Sequence, residues 1–252
     1  MHLFIKILRV LGISEYRRAF LRTRVAASTE HDAILGGLGI DTVVDLGANR
    51  GQFALCARHL FPKARIFSFE PLAAAVRRWR QVFAGDARAA LFEVAIAERA
   101  GSADLHVARW DSSSSLLPIG QAQQDNYPLT HEVRRVPVTM VRLADRLARE
   151  DISGRALLKL DVQGSELSAL RGCSDLLPLF SFVYVEASFI ELYIGQALAG
   201  EVAGYLYEHG FLLQCVANLS SGKSGKPIQG DFLFGRLSAH RDTQESLHST
   251  TS

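Results

Sequence analysis

Only three cysteines occur in the 252 residues, and Cys56, Cys173 and Cys215 lie far apart with no C-x-x-C pair. A disulfide framework is thereby excluded, and the thiols read as buried groups in a reducing, cytoplasmic compartment. Charge of one sign is also missing. The formal net charge is +2, too weak a field to call for nucleic acid or an anionic surface as partner. No stretch approaches the roughly 20 apolar residues of a membrane-spanning helix. Lys6 and Arg9 interrupt the apolar start, and no small-residue cleavage site follows, so a signal peptide is not expected. No internal repeat is visible. What remains is a chain that is 48% hydrophobic and 21% charged, enough to build a substantial core.

Three regions are expected. Residues 1–39 read as a helical extension, 40–237 as the main domain and 238–252 as a polar, disordered tail. In the extension, Phe4, Ile7, Leu8 and Leu11 share one helical face, while Lys6, Arg9, Arg17 and Arg18 supply charge. That face suits packing on the domain, a second subunit (a homo-oligomer), or weak peripheral membrane contact through residues 1–20. In the main domain, strand-length apolar runs alternate with helix-length segments. The runs are Thr42 to Leu46, Arg65 to Phe69, Ala90 to Ala95, Ala156 to Leu160, Phe182 to Glu186, Phe211 to Val216 and Asp231 to Arg236. Helices are expected over Gln52 to Phe61, Leu72 to Phe83, Glu166 to Leu170 and Ala199 to His209. The rhythm implies an α/β fold: a doubly wound, mostly parallel seven-stranded sheet with an antiparallel strand at its edge, where the last two strands form a hairpin. Ala103 to Val107 and Val133 to Val138 are further strand candidates. The polar stretches Asp111 to His131 and Ser220 to Lys226 read as loops.

The first run ends Asp45-Leu46-Gly47-Ala48-Asn49-Arg50-Gly51 and opens a helix. Ligands of doubly wound sheets bind at the carboxyl ends of the strands. A triphosphate would need G-x-x-x-x-G-K-[ST], and here Gln52 and Phe53 follow the second glycine. A dinucleotide would need G-x-G-x-x-G, and an acidic strand end at Asp45 would repel its pyrophosphate. S-adenosylmethionine carries positive sulfonium and ammonium groups and no phosphate, so charge favours it. The second run ends Phe69-Glu70-Pro71, with Glu70 placed 25 positions after Asp45. A carboxylate at about that spacing accepts hydrogen bonds from a ribose diol. A nicotinamide-dependent oxidoreductase and a non-catalytic domain of the same fold are the competing readings.

Lys159-Leu160-Asp161-Val162-Gln163-Gly164-Ser165-Glu166 ends a later strand, and Tyr184-Val185-Glu186 ends the next. Asp161, Glu186 and Lys159 are therefore the candidate catalytic residues at one crevice. For Glu166 the plainer role is a helix-start carboxylate, and for Lys159 a charge partner. The acidic strand ends would suit a divalent metal as well as a cationic cofactor. No ligand set with diagnostic spacing supports a metal, and no residue is assigned to one.

These pieces, with Ser114-Ser115-Leu116, Val185-Glu186 followed by Phe189, and Gly230-Asp231-Phe232-Leu233-Phe234, resemble the FkbM family of methyltransferases over about residues 40 to 237. The resemblance implies a class I, Rossmann-like methyltransferase fold and S-adenosylmethionine-dependent methyl transfer to a hydroxyl. Sugars of polysaccharides, glycolipids or secondary metabolites are the typical acceptors. It also implies that Gly47, Asn49 and Gly51 contact the cofactor, Glu70 its ribose and Asp161 its reacting end. Asp45, Ala48, Phe53, Pro71, Ala95 and Ser115 are expected in the same pocket. The extension before Ile40 lies outside the resemblance.

A hydroxyl acceptor must lose its proton during attack. Asp161 and Glu186 are base candidates by position. His106 and His131, which flank the serine loop, are candidates by chemistry, although each alone is more often a packing or surface residue. The loop from Asp111 to His131 reads as a lid or acceptor-binding segment. Arg77, Arg78 and Arg80 read as a solvated helix face, with no stacking platform for nucleic acid.

Overall fold

The structure is a computed structural model and is described here for residues 8–222 and 225–237. Three expected strands appear at their expected bounds: β1 (Thr42–Leu46), β2 (Arg65–Phe69) and β7 (Ala156–Leu160). The run at 90–95 divides into β3 (Ala89–Phe92) and β4 (Ala95–Ile96), while β8 (Phe182–Ser188), β9 (Phe211–Ser221) and β10 (Pro227–Arg236) are longer than read. The main sheet has the order β3-β2-β1-β7-β8-β10-β9. β3, β2, β1, β7 and β8 pair in parallel, and β10 runs antiparallel to both β8 and β9. The closing hairpin therefore lies at the sheet edge, with its reversed strand slotted between β8 and β9. The strand order reverses direction between β1 and β7, the switch point where such sheets open a crevice.

Alternation along each strand sends successive side chains to opposite faces. Val44, Leu158, Val183, Val185, Phe232 and Phe234 enter one core with α6 (Glu166–Gly172) and α7 (Ala199–Glu208). Val43, Leu157, Phe182, Tyr184 and Leu233 enter the other, with α1 (Ser14–Thr23), α3 (Gln52–Leu60) and Trp79 of α4 (Ala73–Val82). Burial on both faces explains why these strands read as continuous apolar runs. β5 (Gly101–Ala108) and β6 (Glu132–Val141) form a separate three-stranded sheet with β4, packed on Leu72 and Ala75 beside α4.

The segment before β1 joins the second core. Val10, Tyr16, Ala19 and Thr23 are buried, and the short α2 (Asp32–Leu35) follows. The apolar face read from the sequence is thus displaced: Leu8 and Leu11 are exposed, and Phe4 and Ile7 lie outside the described residues. So does the polar tail from Ser238. No helix among the described residues is long and apolar enough to cross a membrane. The stretch from Asp111 to His131 is more structured than expected, since it contains α5 (Gln121–Asn126). It is tied down by Gly120 N–H donating to the Leu192 carbonyl (2.9 Å) and by a Tyr127–Ser220 hydroxyl pair (2.6 Å). Ser220 and Ser221 continue β9 instead of forming a loop.

Candidate active site

A cavity of ≈ 300 Å³ opens at the carboxyl ends of β1, β2 and β7. Its floor is the turn after β1. Gly47 and Ala48 N–H both donate to the Phe69 carbonyl at 3.0 Å, and Asp161 N–H donates to the Leu46 carbonyl at 3.1 Å. The turn is therefore clamped between its two neighbouring strand ends. Gly47 has φ +78°, and a Cβ there would collide with the Asp161 carbonyl oxygen, so only glycine fits.

At one end of the cavity stand Glu70, Pro71, Ala95, Ile96 and Leu105. Glu70 Oε2 accepts from Asn49 N–H (2.8 Å) and Oε1 from Leu72 N–H (2.7 Å). Each carboxylate oxygen has a second lone pair, so two acceptor sites remain. Burial pushes the Glu70 carboxyl up to about 7, against the lowering effect of the Leu72 and Asn49 amides.

The other end is held by a row of polar groups crossing the sheet in register. Asp45 lies beside Ser68 and Lys159, and Lys159 lies beside Tyr184. Lys159 Nζ stands 3.4 Å from Asp45 Oδ1, 3.5 Å from Asp161 Oδ2, and 5.2 Å from the Phe53 ring centroid. Burial alone would lower this ammonium, but the carboxylates of Asp161, Asp45, Glu186 and Asp231 raise it to about 12. Burial drives Asp45 the other way, raising it against the opposing pull of Lys159. Neither Asp45 oxygen has a hydrogen-bond partner among the described residues; the ion pair is its principal compensation.

Of the expected site residues, Gly47, Ala48, Asn49, Phe53, Glu70, Pro71, Ala95, Ser115, Lys159 and Asp161 line the cavity. Asp45, Gly51 and Glu186 do not. Asp45 lies fully buried beneath the turn, so the acidity it contributes is already matched by Lys159. At Gly51 a Cβ would meet Trp79 and Phe83, each at 3.0 Å, so the glycine leaves room for these two rings. Glu186 accepts hydrogen bonds from Gln163 Nε2 (3.0 Å) and Gln229 Nε2 (2.9 Å). Burial, then the charges of Asp161, Asp231 and Glu166, push its carboxyl well up. Asp161 shares the same amide, accepting from Gln163 Nε2 at 2.6 Å. Lys159 stands as counter-ion to Asp45 and Asp161.

The two histidines at the serine loop are not cavity residues. His106 Nδ1 pairs with Glu132 Oε2 at 2.7 Å on the small sheet, and His131 is exposed. Glu166 takes the plainer of its two roles, accepting from Val162 N–H (3.2 Å) and Gly164 N–H (3.0 Å) at the start of α6. Sequence reasoning missed Ser28, Glu30 and His31, which line the cavity from the segment before β1. They carry no motif and lie outside the stretch of resemblance, so nothing local marked them. Gln163 was also missed as a lining residue, although it sits inside a quoted motif. Ser115 Oγ donates to its carbonyl at 2.5 Å, which ties the serine loop to the β7 turn.

The match to known sequences starts within this architecture, at Asp45. The model of the methyltransferase FkbM domain matches residues 45–213, well over half of the chain. The chain belongs to the FkbM methyltransferase family. It carries the methyltransferase domain of that family. Among curated relatives, 2-O-methyltransferase NoeI of Sinorhizobium fredii (strain NBRC 101917 / NGR234) is 33% identical over 165 residues, covering 61% of this chain and 66% of that protein. Methyltransferase 1 of Beauveria bassiana (strain ARSEF 2860) is 28% identical over 151 residues, covering 53% of this chain and 58% of that protein. The matched stretches thus span less than two thirds of either relative. Among solved structures, precorrin-6y C5,15-methyltransferase from Geobacter metallireducens GS-15 aligns with a TM-score of 0.47 at 13% identity, over 84% of this chain and 95% of that one.

Proposed function

We propose that this FkbM-family protein transfers the methyl group of S-adenosylmethionine to a hydroxyl of a sugar, in a polysaccharide, glycolipid or secondary metabolite. The observation that carries the reading is the polarity of the cavity. Its Glu70 end presents unused carboxylate lone pairs to a ligand, as a ribose diol requires. With Lys159 matched to Asp45, the carboxylates of Asp161 and Asp231 at the other end are left in surplus, a negative charge suited to a cationic ligand. A pyrophosphate would meet that same surplus unfavourably, which disfavours a nicotinamide dinucleotide. Support for oxygen as the acceptor atom comes from the similarity to the relative named as a 2-O-methyltransferase.

In this reading Glu70 holds the ribose, with Ala95, Ile96 and Leu105 around the base. The Gly47–Asn49 turn, Lys159 and Asp161 surround the amino acid end. When bound, the cofactor supplies an activated methyl group, and the protein's task is to align an oxygen with it and to exclude water. Ser115 and the 111–116 segment close the cavity and connect it to the acceptor side.

Calorimetric titration with S-adenosylhomocysteine tests the reading. Wild-type protein is expected to bind saturably, and Glu70→Ala to bind at least about 30-fold more weakly, the loss expected for a charge-assisted hydrogen-bonding site of about 2 kcal/mol. Binding of NAD in place of S-adenosylhomocysteine would sink it.

A further inference from the structure

The cavity contains one imidazole whose lone pair is directed by a buried carboxylate, and nothing in the family match covers it. His31 ends a short 3-10 turn, Thr29–His31, that lies on the α1/α3 face of the sheet. Its ring packs edge-on against Phe53 and Tyr184, each at 5.4 Å between centroids. Nδ1 lies 2.9 Å from the Tyr184 hydroxyl and 3.5 Å from Asp231 Oδ2. Asp231 Oδ2 in turn accepts from Tyr184 Oη (2.9 Å) and from Asn218 Nδ2 (2.8 Å).

The protons in this cluster can be placed. Burial would raise the Asp231 carboxyl, but the bond from His31, the charge that ring carries when protonated, and the bonds from Asn218 and Tyr184 more than offset it and hold it below the usual carboxylate range. It is therefore an acceptor only. Burial and the Asp231 charge push the Tyr184 phenol far up, so its proton stays on oxygen and points to Asp231. The phenol oxygen is left to accept, and Nδ1 of His31 must be the nitrogen that donates. A neutral imidazole with its proton on Nδ1 has its lone pair on Nε2. No hydrogen bond reaches Nε2 among the described residues, and His31 borders the cavity with Phe53, Lys159 and Asp161. Asp45 on β1 also contributes negative charge near the ring.

We propose that His31 is the general base for the acceptor hydroxyl, with Tyr184 and Asp231 as positioning residues that fix its tautomer. The proposal rests on the methyl-transfer reading above. In the step, the acceptor O–H bond breaks and its proton passes to Nε2. The electron pair left on oxygen forms the new O–C bond. The C–S bond breaks with its pair retained by sulfur, which leaves as a neutral thioether. The imidazolium is stabilised by Asp231 and returns the proton to solvent. The base and its positioning carboxylate flank the family match: His31 precedes the matched residues 45–213, and Asp231 follows them.

Long-range 1H–15N NMR of histidine-labelled protein reads the tautomer directly, with the His31 signal assigned by its absence in His31→Gln. The expected result is a neutral ring with Nδ1 protonated and Nε2 bare, a preference lost in Asp231→Asn. His31→Gln is expected to keep its S-adenosylhomocysteine affinity within about threefold while kcat drops about a hundredfold or more. The kcat assay uses labelled S-adenosylmethionine and a panel of methyl hexosides and methyl deoxyhexosides. A proton on Nε2 in the wild type, or a tenfold loss of S-adenosylhomocysteine affinity in His31→Gln, would overturn the base role. The latter would make His31 a cofactor anchor instead. Wild-type protein that binds no S-adenosylhomocysteine would defeat the methyl-transfer reading itself, an outcome separate from either.

Discussion

The two ends of the cavity are built in different ways. At the Glu70 end, the groups that face a ligand are local. Glu70 is fixed by amides of residues 49 and 72, and Pro71, Ala95, Ile96 and Leu105 follow it in one continuous part of the chain, residues 71–105. At the Lys159 end, the groups come from β1, β7, β8, β10 and the turn before β1, and they hold each other by charge. A local site tolerates change elsewhere in the chain. An assembled one depends on every strand keeping its register, and a single missing charge leaves others buried without a partner.

Removing Lys159 should expose that difference most strongly. Lys159→Met leaves Asp45 buried with no counter-ion, and a destabilisation of about 3–5 kcal/mol is expected in denaturant melts. Adding Asp45→Asn should recover much of it. Equal losses for the single and double variants would mean that the ion pair does not hold the assembled end together.

A smaller effect sharpens the contrast between Glu70 and Glu166. Both accept two backbone amides, and burial pushes both carboxyls up to about 7. Because the folded-state value is raised, each group favours folding below its unfolded value, and this contribution is lost as pH rises through about 7. Glu166→Gln keeps the acceptor oxygen and removes the charge. It should flatten the fall in stability between pH 5 and 8 by about 2 kcal/mol without changing S-adenosylhomocysteine affinity. Glu70→Gln should flatten the same slope and weaken binding. A Glu166→Gln variant that binds poorly would show that the β7 turn, and not only Glu70, senses the ligand.

The least effect is expected at the rim. Arg50 Nη2 and Asp111 Oδ2 form a 2.6 Å ion pair that ties the β1 turn to the serine segment, with the Arg50 side chain 43% exposed. Arg50→Ala should cost less than about 1 kcal/mol in thermal melts. A larger loss would place the rim among the assembled parts of the site.

How far the sequence can be read follows the same division. β1, β2 and β7 were legible at their bounds because burial on both faces demands apolar residues at most positions, even with Asp45, Ser68 and Lys159 among them. Gly47, Asn49, Glu70 and Asp161 were legible because a tight turn and a strand-end carboxylate leave a local pattern. The serine stretch was read as loop because its polar residues hid α5, whose order comes from contacts with residues 192 and 220. Chemistry alone drew attention to His106 and His131, but folding placed one against Glu132 and the other in solvent.

By itself, then, the sequence determined the alternating fold, the turn that floors the cavity and the acidic residue beside it, since each depends on a local pattern. The tertiary structure decided that Asp45 is neutralised by Lys159, that Glu186 is withdrawn behind Gln163, and that His31 meets Asp231. Those relations join residues as many as 200 positions apart, and only the pairing of β1, β7, β8 and β10 in one sheet, with His31 packed against Tyr184, brings such groups within reach of each other's charge.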